Sequence, residues 1–137
     1  MKNILCLFIL ILLSGCNKKY IIMPNVKGKI YSKVNNKPIS NVRIFVSKYA
    51  INNMDTIRTD HNGSFLYNGF FVDNYSDVRS MSTMVQHVFI LKSDQAYKYI
   101  NVKKYYNKDD YNKRDTIDLG IIYFENLKSV KKDSIPK

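Results

Sequence analysis

The stretch "NVRIFVSKY" sends Val42, Ile44 and Val46 to one side and Arg43, Phe45 and Ser47 to the other. That is the pattern of a strand with one buried face. Similar short runs follow or precede it: "VKGKIYS", "MDTIRTD", "SFLYNGFFV", "HVFILKS", "YKYINVKK" and "TIDLGIIYF". Turn formers separate them. Pro38 pre-sets φ in "KVNNKPIS", while Asn35, Asn36 and Asn41 tolerate left-handed conformations. Gly63 supplies positive φ in the tight reversal "DHNG", and Gly69 predicts a bend within "SFLYNGFFV". "DQA" reads as a hairpin turn. Short strands at roughly ten-residue spacing with turns between them predict an all-β fold, a small β-sandwich, over residues 26–126. The segment 73–86, "DNYSDVRSMSTMVQ", has no steady period and reads as a long loop with room for one helical turn.

Before this domain the sequence has a different character. Lys2 precedes an apolar run from Ile4 to Leu13, and the small residues Ser14 and Gly15 lead into Cys16. The layout is that of a secretory signal. Spanning a bilayer takes roughly twenty apolar residues, about twice what this run offers. Leu13-Ser14-Gly15-Cys16 resembles the lipobox of bacterial lipoproteins. The resemblance implies cleavage after residue 15 and a diacylglycerol on the Cys16 sulfur. Two or more acyl chains anchor firmly where one is marginal. The expected organisation is thus a signal at 1–15, a lipidated tether at 16–25, the sandwich at 26–126 and a basic disordered tail at 127–137. Asn17 stands where an aspartate would favour retention at the inner membrane, so the expected location is the cell envelope, at the outer membrane and facing the periplasm.

The two cysteines are Cys6 and Cys16. A domain processed in this way has no disulfide and no thiolate metal site, and its stability must come from packing. The net charge is +11, or +10 once Lys2 is lost with the signal. Much of the excess lies in "NVKKYYNKDDYNKRD" and in "LKSVKKDSIPK". A positive surface attracts anionic lipid headgroups and other phosphate-rich partners. The simpler reading is that the lysines solvate turns and tails; an exported lipoprotein is not expected to meet nucleic acid.

At "VKGKIYSKVNNKPISNVRIFVSK" and "DTIRTDHNGSFLYNG" the residues resemble the carboxypeptidase regulatory-like family, a transthyretin-like sandwich related in architecture to the Ig-like folds. The matching positions are Gly28 and Ile30, Pro38 and Ile39, Val42, Ile44 and Val46, and then Thr59, Asp60, Gly63 and Phe65. Asn41 stands where the family has glycine, a change that its access to αL geometry tolerates. The resemblance implies a non-catalytic binding or accessory module, with the membrane and an envelope protein as partners and no cofactor.

Catalytic parts are missing from the pattern. His61 lies in the turn "DHNG" and reads as a solvated turn residue; His87 opens a strand and reads as half-buried or at a sheet edge. A metal site needs three or four ligands. Asp60 is expected to close its turn with an Asx-type hydrogen bond, and Asp109 and Asp110 lie among Lys108, Lys113 and Arg114 on a charged loop. Glu125 is the sole glutamate, so paired-carboxylate chemistry has few candidates. A transthyretin-like hydrolase is the enzyme alternative, but it depends on a closing Tyr-Arg-Gly-Ser where this sequence has "DSIPK". The binding alternative is a basic and aromatic surface formed by Lys98, Lys103, Lys104, Tyr105, Tyr106, Lys108 and Lys113, which would contact anionic glycans or lipid headgroups.

Overall fold

The computed structural model describes residues 19–46, 56–85, 87–94, 96–105 and 115–131. Ten strands and one helix follow in order: β1 Tyr20–Met23, β2 Asn25–Tyr31, β3 Arg43–Phe45, β4 Ile57–Arg58, β5 Ser64–Tyr67, β6 Phe70–Val72, α1 Tyr75–Ser82, β7 Val88–Lys92, β8 Tyr97–Asn101, β9 Thr116–Tyr123 and β10 Lys128–Ser129. They make a three-stranded sheet in the order β5-β2-β9, a five-stranded sheet in the order β10-β8-β7-β3-β4, and a two-stranded ribbon of β1 and β6. The protein is therefore an all-β, sandwich-like domain. Pairing is antiparallel except between β2 and β9, which run parallel.

One apolar cluster joins the layers. The three-stranded sheet contributes Val26, Ile30, Phe65, Tyr67, Ile117, Leu119 and Ile122, and the five-stranded sheet contributes Ile44, Phe89, Leu91 and Ile100. The Tyr67 and Phe89 rings meet across the sheets with centroids 4.5 Å apart, within the range of favourable tilted aromatic pairs. Gly28 faces the core in the middle of β2. A Cβ there would stand 3.1 Å from the Phe65 ring, so the glycine makes the room that this ring fills. The alternation expected of "NVRIFV" holds, since Val42, Ile44 and Val46 are all buried.

Three expectations need correction. Residues 20–23, assigned to the tether, form β1, which pairs with β6 and puts Ile22 and Met23 into the core. The apolar run "YIIM" is long enough for a short strand, and Pro24 separates it from β2. Leu127 to Val130, assigned to the disordered tail, instead extend the sheet: Leu127 packs on the core, β10 pairs with β8, and the Val130 N–H donates to the Tyr97 carbonyl. The loop assigned to 73–86 contains α1, a helix of eight residues. Its apolar positions are too few to show a period, and it forms by docking Val78 and Met81 on the core and Tyr75 on the Tyr20 ring, 5.5 Å away. The signal at 1–15, Cys16 and residues 132–137 lie outside the described residues.

The bend at Gly69 is a full change of sheet, because β5 belongs to the three-stranded sheet and β6 to the ribbon. Backbone crowding requires glycine here: a Cβ would lie 2.3 Å from the Met23 carbonyl oxygen. The Asn25 side chain completes the bend by accepting the Gly69 N–H at 2.6 Å.

Ile44 is 1% exposed at the centre of the cluster. Ile44→Ala is expected to cost about 2 to 5 kcal/mol, read as a lowered denaturation midpoint in urea. An unchanged midpoint would mean that β3 does not pack as described.

Candidate functional site

Motif residues that could have carried chemistry are engaged in shaping the backbone. Thr59 is a buried polar residue whose hydroxyl accepts the Val42 N–H at 2.9 Å and donates to the Ile39 carbonyl at 2.8 Å. Its own N–H reaches the Val42 carbonyl at 3.1 Å, and its carbonyl accepts the Asn41 N–H at 3.0 Å. Asp60 closes the following turn as expected, with Oδ1 accepting the N–H groups of Asn62 and Ser64 at 2.9 and 2.8 Å. His61 is exposed on that turn beside the Asn62 amide, 3.1 Å away. Asn41 adopts φ 60°, the left-handed geometry expected of it, and its Oδ1 accepts from the Arg58 guanidinium at 2.6 Å.

Glu125 has a comparable role. Oε1 accepts the Ser32 hydroxyl and Oε2 the Lys33 N–H, each at 2.8 Å. These donors, the Lys33 N–H foremost, hold the carboxyl below the usual carboxylate range. The Tyr123 hydroxyl donates to Asn36 Oδ1 at 3.1 Å and ties the same loop to the end of β9. Asp118 is held low first by the Gly120 N–H and then by Lys27, whose ammonium lies 3.3 Å away.

At one end of the sandwich a cleft of about 430 Å³ opens between the β7–β8 connection and the 3₁₀ turn Phe124–Asn126. Ile39, Ala96 and Phe124 supply apolar walls, and Ser93, Asp94, Lys98 and Glu125 supply polar ones. Lys98 shares the inward parity of Ile100 on β8 but lies where the sandwich opens, so its ammonium reaches out to Ser129 Oγ at 3.0 Å. The cleft combines an apolar floor with charges of both signs. It suits a small amphipathic group, such as a side chain of a docked peptide, better than a polyanion.

The basic surface expected from the sequence is split by this geometry. Lys98 belongs to the cleft end of β8, while Lys103, Lys104 and Tyr105 occupy the 3₁₀ turn Val102–Tyr105 beyond its other end. Tyr106, Lys108 and Lys113, with Asp109, Asp110 and Arg114, lie outside the described residues. Among the described residues no group of three His, Cys, Asp or Glu side chains stands close enough to hold a metal ion, and no helix is long and apolar enough to cross a membrane.

The chain matches no family model, no curated protein and no solved structure.

His87 stands just before β7 and is half-buried, its carbonyl accepting the Val102 N–H at 2.9 Å. Burial lowers its imidazole pKa below the ordinary 6.5, and the charge of Lys103 lowers it further. The folded state thus favours neutral His87, whereas the unfolded chain binds the proton more readily. The stability this contributes is full above pH 6.5 and is lost as pH falls from there through the lowered folded value. The melting temperature is expected to drop between pH 7 and pH 5, and His87→Gln should flatten that part of the profile.

Proposed function

We propose that this chain is a lipid-anchored lipoprotein of the bacterial cell envelope, and that its β-sandwich is a non-catalytic binding or accessory module. The observation that carries the reading is Leu13-Ser14-Gly15-Cys16 directly after the apolar run from Ile4 to Leu13. The position of β1 supports it. Tyr20 begins the strand, so a chain cut before Cys16 passes from its lipid to its folded core within a few residues. At roughly 3.4 Å per extended residue, that link holds the domain close against the membrane surface.

Support for a non-catalytic module comes from how the motif residues are employed. Thr59, Asp60 and Glu125 satisfy backbone donors and acceptors, and the residues resembling the regulatory-like family meet in that same framework. A framework of this kind presents surfaces and loops to a partner, and the envelope is where the anchor would place it. The cleft at Lys98 is a concave feature available for a protein partner.

Mass spectrometry of the protein from a bacterial membrane fraction tests the anchor. The expected result is a peptide beginning at Cys16 and carrying acyl chains, with Cys16→Ala remaining uncleaved at that bond. A Cys16 peptide without acyl mass would overturn the reading.

A further inference from the structure

Strand register builds an unusual row on the outer face of the five-stranded sheet. Arg58 is directly opposite Arg43, Arg43 is opposite Lys92, and Lys92 is opposite Tyr97. One row along, Phe45, Ile90, Tyr99 and Lys128 are neighbours in turn. These positions alternate with Ile44, Leu91 and Ile100, which enter the core, so both rows face away from it. Like charges directly opposed across a ladder repel. None of the five strands contains an Asp or Glu to offset them.

Two of the cations have modest local partners: Arg58 donates to Asn41, and Lys92 lies 5.2 Å from the Tyr97 ring centroid. Arg43, half-buried between them, has no hydrogen bond or ion pair among the described residues. A central guanidinium flanked on both sides by cations, with no acidic partner among the described residues, is a position that an added anion would relieve. The rings shape what that anion belongs to. Tyr97 and Tyr99 are half-exposed beside the cations, and Ile90, between Phe45 and Tyr99 in the second row, is 6% exposed. The large aliphatic side chains that are exposed, Val34, Leu66, Met84 and Ile121, all lie elsewhere. Among the described residues the apolar side chains of this face, Phe45 and Ile90, are half-buried and buried.

We propose that the outer face of the five-stranded sheet binds an anionic linear polysaccharide lying across the strands. Arg43, Lys92 and Lys128 pair with its acidic groups, and Tyr97 and Tyr99 stack on its sugar rings. Strands lie about 4.8 Å apart, so the polymer meets a fresh cation or ring at each one. The choice of polysaccharide over nucleic acid rests on the envelope location proposed above, and the choice over a lipid surface rests on the exposed large aliphatic side chains among the described residues lying on other parts of the fold.

Binding of the full chain in mild detergent to immobilised polygalacturonate tests this, with neutral dextran as the control. Binding is expected at about 0.05 M salt and is lost at about 0.5 M, as screening shortens. The double variants R43Q/K92Q and K92Q/K128Q should each weaken it about tenfold, while K103Q/K104Q leaves it unchanged. K92Q/K128Q keeps the test decisive should replacement of half-buried Arg43 perturb folding. Absence of binding at low salt, equal binding to dextran, or indifference to both double variants overturns the proposal. So does displacement of the polymer by less oligothymidylate or phosphatidylglycerol micelle than by free polygalacturonate. The assay needs no acyl chain, so its failure leaves the anchor standing, and an unacylated Cys16 leaves this result standing.

Discussion

The Thr59 hydroxyl holds the sandwich together at its corner. The chain crosses from the three-stranded to the five-stranded sheet between β2 and β3, and crosses back between β4 and β5. The two crossings run side by side, and the hydrogen bonds joining Thr59 to Ile39, Asn41 and Val42 stitch them together. Crossings between sheets leave backbone groups outside any ladder, and buried groups of that kind must find partners. A single side chain that both donates and accepts satisfies them with little space. The turn after Thr59 fits just as closely: Gly63 has φ +71°, and a Cβ there would lie 2.4 Å from the Ile30 carbonyl oxygen. The Gly63 carbonyl in turn accepts the Ile30 N–H at 2.8 Å.

The rest of the domain is organised outward from this corner. β2 is the shared centre of its sheet, and its parallel partner β9 is kept in register by a local adjustment at Gly120, φ +62°, where Asp118 accepts the Gly120 N–H. Past that point β9 runs into the 3₁₀ turn, where Glu125 fastens the loop after β2 and lines the cleft together with Phe124. Asp60, Asp118 and Glu125 thus all work as acceptors for backbone donors. Surfaces that this framework does not consume include the open end of the sandwich and the outer face of the five-stranded sheet.

Much of the framework was legible in the sequence because its signals are local. Positive φ at Asn36, Asn41 and Gly63, the Asx turn at Asp60 and the parity of Val42, Ile44 and Val46 each depend on residues a few positions apart. The candidate surface was far less legible. Lys98 and Lys103 to Tyr105 are neighbours in sequence, yet strand parity and the length of β8 separate them. Arg43, Arg58, Lys92 and Lys128 are far apart in sequence and become neighbours only through the pairing of β4, β3, β7, β8 and β10. No local pattern announces a row perpendicular to the strands.

The elements that the sequence misplaced share a cause. β1, α1 and β10 are short, and each is stable only against something distant: β1 against β6, α1 against that ribbon, β10 against the edge of β8. Elements this short lack the repeated period that marks a longer strand or helix, and isolated short helices are marginal in water. By itself, then, the sequence determined the β class, the turns and the inward face of the run from Val42 to Val46, because turn chemistry and side-chain alternation act over neighbouring residues. The tertiary structure alone decided the sheet order, the first and last strands and the gathering of the cations on one face. These depend on long-range pairing, whose partners are chosen by the burial of a common core.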